Sequence, residues 1–176
     1  TASLATGNFS SAFGYGAVAE GEDSTAVGEA AVARGDAANA MGLASYADGE
    51  ASLALGTAST AMGSNSAAIG TASYANGNYS NAVGVGAFTN WDYANAFGSY
   101  ASAEGFASTA VGVGAIATRE NSTVLGGSCF VGANQDGSMW GGDLVRSLAD
   151  GAGATAVGAG AQAMADQSIA MGTLSQ

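Results

Sequence analysis

Large apolar residues return every fourteen positions along most of this chain, always one residue before a glycine. They are Phe13, Val27, Met41, Leu55, Ile69, Val83, Phe97, Val111, Leu125, Val157 and Met171. Most belong to a five-residue phrase of the form Ser-x-Ala-apolar-Gly, as in Ser24-Thr25-Ala26-Val27-Gly28 and Ser66-Ala67-Ala68-Ile69-Gly70. Half a period later stands a second phrase, Ala-x-Ala-x-Gly, as in Ala31-Val32-Ala33-Arg34-Gly35. In both phrases small residues alternate with variable ones, and a period of two is the signature of a strand. A heptad coiled coil is excluded, because glycine at every seventh position removes too much helix propensity. Each fourteen-residue repeat therefore reads as two short strands joined by two glycine turns, and a fixed short period reads as a solenoid.

The alternation also fixes direction. The small residues of both phrases face each other across a narrow coil that admits only Ala, Ser and Gly. Cys129 falls on one of these inward positions and is expected to act as a small buried hydrophobe. The eleven large apolar residues point the other way. A circumference of fourteen residues leaves no room for them inside, and an apolar stripe along a thin rod demands a cover. Self-association, with the stripes of several copies meeting on one axis, is the expected solution.

Repeated in one register, Ser-x-Ala-Ile-Gly followed by x-x-Ala/Ser-x-Ala-x-Gly resembles the head repeats of YadA-like trimeric autotransporter adhesins. The resemblance covers residues 1–126 and again about 151–176. It implies an all-β fold, a left-handed parallel β-roll of fourteen-residue rungs. It also implies three rolls packed side by side as a homotrimer, and display on the cell surface. That family's stalk, neck and membrane-anchor barrel are not found in this stretch, so anchoring to the outer membrane is expected through parts outside it. The pattern has departures: Trp91 and Arg119 replace the second-corner glycine, and about eighteen extra residues break the count before Gly151. The expected organisation is head repeats over 1–133, an insertion over 134–150 that leaves the roll, and head repeats resumed over 151–176. Within the insertion, Asp143 to Ala149 reads as a short helix capped by Asp143.

Composition narrows the function. Three arginines face fourteen acids, for a net charge of −11, with no histidine and no proline. Nucleic acid and anionic membrane are poor partners for such a surface. No apolar run approaches the ~20 residues of a membrane span, so this stretch is expected to make no membrane contact. Without histidine the commonest general base and metal ligand is missing. The chain reads as a non-enzyme with no cofactor and no metal site. Acids gather at the second corner (Glu22, Asp23, Asp36, Glu50, Asp92, Glu120, Asp166), where they would serve solubility and keep rod edges apart; loose divalent-cation binding is the functional alternative.

The candidate contact surface is aromatic. Tyr74, Tyr79, Phe88, Trp91, Tyr93, Tyr100 and Phe106 crowd into one segment outside the apolar stripe. Exposed rings of this kind suit an extracellular protein or glycan ligand; alternatively they cover gaps or a neighbouring subunit. The functional expectation is an adhesin head, a rigid trimeric rod mediating attachment to matrix, cells or other surfaces. The alternative is a structural spacer of a cell-surface or phage fibre, with no ligand of its own.

Overall fold

Strands of two or three residues are too short to pair within one repeat, so each pairs with its equivalent in the next. The computed structural model describes residues 2–131 and 143–176, and no helix occurs among them. Two parallel sheets of eleven strands each run the length of the molecule. One is built of two-residue strands from Leu4–Ala5 to Gln162–Ala163, the other of three-residue strands from Ser11–Phe13 to Ile169–Met171. Partners lie fourteen residues apart, for example Ala26 with Ala40 and Val27 with Met41. The fold is a parallel β-solenoid of eleven rungs. At about 4.8 Å per rung it makes a rod roughly 50 Å long.

The interior is nearly all alanine: Ala19, Ala33 and Ala47 on one sheet and Ala26, Ala40 and Ala54 on the other are completely buried. The largest fully buried side chains are Val124 and Thr89, so at isolated rungs the bore admits two heavy atoms beyond the alanine Cβ. The Thr89 hydroxyl donates to Ser80 Oγ at 3.0 Å. Corner serines bond back across their own turns, Ser80 to Gly77 O at 2.7 Å and Ser45 to Gly42 O at 3.1 Å. Ser24, Ser52, Ser66 and Ser168 are oriented without a partner for their hydroxyls, and nothing in the structure explains why these four differ.

The two glycine series answer different needs. At the first corner Gly56 has φ +137°, and an added Cβ would stand 2.5 Å from Gly70 O in the next rung. At the second corner Gly63 needs no unusual φ, yet its Cβ would meet Gly77 O at 2.0 Å. Rungs pass too close there for any side chain. Two residues after each corner glycine the chain turns through the left-handed region, and alanine often occupies that place: Ala30 has φ 55° and Ala51 φ 52°.

Trp91 and Arg119 stand on the second corner where closeness is the rule, and beside Trp91 the ladder records it. The N–H of the residue before the corner bonds to the next rung at 2.8 Å for Glu20, Arg34, Met62 and Glu104, and at 3.1 Å both for Asn76, before Gly77, and for Thr118. It is longest, 3.3 Å, for Asn90 beside Trp91, where the rungs open to admit a Cβ.

The rung count breaks between Ser128 and Ser147. The Cys129–Val131 strand pairs antiparallel with Asp143–Val145 outside the roll, and Leu148–Ala149 returns to pair with Ile116–Ala117. Three sequence expectations are corrected here. Asp143 to Ala149 is not a helix: seven residues are too few to repay helix nucleation, and Leu148 and Ala149 complete a rung. Those two residues therefore belong to the roll, not to the 134–150 insertion. Cys129 opens the hairpin instead of filling an inward rung position, and its side chain lies outside the described residues, as does Trp140. Re-entry is closed by Ser147, whose buried hydroxyl lies 2.9 Å from Gly127 O and 2.8 Å from Gly158 O and accepts the Gly160 N–H at 3.0 Å.

Candidate functional site

Three outward surfaces of the rod carry side chains that lie outside its alanine interior. The first is the apolar stripe. The inward alanine of each three-residue strand forces the residue after it outward, so Met41, Leu55, Phe97, Val111 and Leu125 are exposed, and Val27, Ile69, Val83 and Val157 half-buried. The end positions Phe13 and Met171 are the most open. The stripe runs beside the first corner. Sequence reasoning missed its flank: the residue after each first-corner glycine is also outward, and Tyr15, Leu43, Val85 and Val113 there are exposed apolar residues. The signal was present at the fourteen-residue spacing but diluted by Glu29, Thr57, Thr71 and Ser99 at the same position.

The second surface is the acidic edge at the second corner. Its short side chains make bonds that the sequence did not suggest. Asp36 Oδ1 accepts the backbone N–H of Glu22 at 2.9 Å, Asp92 Oδ1 that of Asn78 at 2.8 Å, and Asp166 Oδ1 that of Ala152 at 2.9 Å. Asn78 does the same for Ser64 at 2.9 Å. Each caps the preceding rung at a backbone donor that the strand ladder leaves open. Glu22, Glu50 and Glu120 at the same position make no such bond. Among the described residues no group of three His, Cys, Asp or Glu side chains converges as metal ligands would.

The third surface is aromatic, and the structure divides the seven candidate residues among three places. Tyr74 and Phe88 stack at 5.5 Å on the outer face of the two-residue-strand sheet. Tyr79 and Tyr93 stack at 5.3 Å at the second corner, with Phe106 edge-on to Tyr93 at 5.7 Å. Trp91 shares that corner. Tyr100 stands alone on the first corner, where it and Phe88 border a cleft of about 560 Å³ that Arg146 overhangs.

A larger cleft, about 690 Å³, lies on the second corner between Trp91 and Arg119. Its floor is Gly105, the one rung between them that keeps the corner glycine, and Phe106, Glu104, Glu120, Asp150 and Asp166 line the sides. Arg119 Nε is 3.7 Å from Asp150 Oδ1, the arginine largely open to solvent and the aspartate partly so, and the Thr118 hydroxyl donates to the same carboxylate. Elsewhere on the rod Arg34 is tied down: Nε pairs with Glu20 at 3.2 Å and the guanidinium lies 5.3 Å from the Tyr46 ring centroid. The Tyr46 hydroxyl donates to Asp48 Oδ1 at 3.1 Å. Burial and then Asp48 push its pKa above the usual tyrosine value, against the opposing pull of Arg34.

Comparison with known proteins follows the same division. The family model described as the YadA head domain repeat (2 copies) matches residues 1–17, 5–31, 19–42, 33–59, 47–70, 103–128 and 149–175. The matches pass over 71–102, rungs that keep the register of the roll while carrying six of the seven aromatic candidates. No curated protein matches the sequence.

Proposed function

The chain belongs to the YadA head domain family, and from this we propose that it is a trimeric adhesin head: a rigid, non-enzymatic rod that presents repeated surface for attachment outside the cell. One observation carries the assembly. In a single chain the stripe from Phe13 to Met171 stays in water, with Leu55 still 40% exposed in mid-rod. An apolar band that long is not left uncovered on a soluble rod. Three left-handed rolls meeting on the stripe, with Leu43, Val85 and Val113 at its margin, would cover it. Attachment would draw on three copies of each surface, so weak contacts would sum through avidity. Anchoring to an outer membrane would be supplied by other parts of the protein.

The test is solution mass by light scattering. Wild type is expected at three times the 16.8 kDa chain mass. Ile69→Asp would place three carboxylates against one another on the axis, and is expected to dissociate or unfold the assembly. A stable wild-type monomer indifferent to the substitution refutes the stripe as an assembly face. For attachment, particles coated with the trimer are expected to hold to surfaces bearing extracellular matrix or cells. A trimer that adheres to none of them is a spacer.

A further inference from the structure

We infer that the second-corner cleft between Trp91 and Arg119 is a binding site for a neutral saccharide. The inference rests on the proposed assembly for the choice between clefts and on the adhesin reading for its biological use; the site itself is argued from the cleft. Its walls are the two places where a large residue replaces the corner glycine, and beside Trp91 the ladder is stretched to 3.3 Å at Asn90. Sites that break a fold's local rules are where function is expected. The intervening glycine, Gly105, keeps the space between them open. Two rungs separate the walls by roughly 10 Å, and the volume of about 690 Å³ falls in the usual range for a small-ligand site.

The chemistry of the lining selects the ligand. Trp91 is 56% exposed and offers an aromatic face to the apolar C–H side of a sugar ring. Arg119 brings donors only; Glu104, Glu120, Asp150 and Asp166 bring acceptors only. A hydroxyl can both donate and accept, so a polyol can satisfy both sets without leaving a desolvated charge unpaired. An anionic sugar would face four carboxylates; a cation would be drawn by the lining's net charge but would leave the exposed Trp91 face unused, and salt dependence separates the two. Position supports the choice over the Phe88–Tyr100 cleft, which lies beside the apolar stripe and is expected to be covered on assembly. The second corner is at the opposite end of each rung and stays open.

The chain's tryptophans are Trp91 and Trp140, so Trp140→Phe leaves Trp91 as the sole indole reporter. This protein, in its assembled form, is titrated with lactose, maltose and cellobiose while tryptophan fluorescence is followed, with calorimetry alongside. A saturable response to at least one disaccharide is expected. Its affinity should be nearly unchanged between about 50 mM and about 500 mM salt, since no net ligand charge is screened. Arg119→Ala should weaken it about tenfold. Trp91→Gly, made in the parent chain and read by calorimetry, restores the repeat's own residue and should abolish binding while the assembly keeps its mass and thermal stability. The inference is overturned by no response to any of the three sugars. A salt-sensitive response to tetralysine alone would make this edge a cation-binding surface, and equal binding by Trp91→Gly would put the site elsewhere. A wild type that binds sugar but adheres to nothing would fail the adhesin reading alone. Undiminished adhesion by Trp91→Gly would remove only the cleft from it.

Discussion

Replacing Gly63 with alanine should cost more stability than any exposed glycine position would suggest. Gly63 sits on the second corner, and its added Cβ would lie 2.0 Å from Gly77 O and 2.3 Å from Gly77 C. Both are backbone atoms of the next rung, so nothing flexible can swing aside; the contact must lengthen by about 1.5 Å to become ordinary. The chain shows what parting looks like, because the ladder bond that is 2.8 Å at Met62 is 3.3 Å beside Trp91. Overpacking of this kind costs about 1–3 kcal/mol, and weakening one or two ladder bonds adds about 0.5–1.5 kcal/mol each. A total of about 1.5–6 kcal/mol corresponds to a fall in Tm of about 3–24 °C for a chain of this length.

Thermal unfolding of Gly63→Ala and wild type, followed by far-ultraviolet circular dichroism at one protein concentration, measures it. Trp91→Gly is the companion. It removes a Cβ from the same corner two rungs away and lets Asn90 close on Ala103, so it should hold or gain Tm. An alanine at 63 within about 1 °C of wild type refutes the claim that rung spacing, not turn conformation, holds this glycine series. So would a Trp91→Gly protein that falls as far as Gly63→Ala.

Four further outcomes follow from the structure. Ala51→Gly should leave stability unchanged or raise it by up to about 1 kcal/mol, against the usual loss for Ala→Gly, because Ala51 holds φ 52°, which costs an L-residue about 1–2 kcal/mol; denaturant unfolding decides the sign. Asp92→Ala should lose about 0.5–1.5 kcal/mol by freeing the Asn78 N–H, a solvent-exposed bond and so near the low end of charged hydrogen bonds. Glu50→Asp should gain stability if the shorter side chain reaches the Asp36 N–H as its equivalents do, again read from denaturant unfolding. Tyr46 should titrate above the ordinary tyrosine range. With its folded pKa above its unfolded one, it contributes stability that is full below about pH 10 and lost as pH rises through the folded value. Ultraviolet titration should therefore lose its highest tyrosine step in Tyr46→Phe, and an unchanged curve would contradict the assignment.

The sequence exposed the roll because its interior tolerates almost nothing. A bore that accepts only Ala, Ser and an occasional Thr or Val must repeat in the chain as it repeats in space, and Ala26, Ala40 and Ala54 are legible for that reason. Outward positions face no such constraint, and there the reading thinned. The stripe was seen because all eleven of its residues are large and apolar. Its flank at Leu43, Val85 and Val113 was not, because polar residues share the position. The rung caps of Asp36, Asp92 and Asp166 were read as loose surface charge, since a side chain reaching a backbone N–H fourteen residues earlier leaves no mark on composition.

The aromatic segment is the instructive failure. Seven rings close in sequence are not close in space when the chain circles every fourteen residues: Tyr100 and Trp91 are nine residues apart and stand on opposite corners. Residues 105 and 119, by contrast, are neighbours in the roll. In a solenoid the meaningful distance is measured modulo the repeat. Taken that way, Trp91, Gly105 and Arg119 form one column, and the column is glycine everywhere that rungs must touch except at its two walls and at Ala165. Two large side chains on a column otherwise held to glycine and alanine, standing around an open Gly105 with the ladder stretched to 3.3 Å beside Trp91, cost the rod packing and leave a space between them, which is what a bound ligand would use.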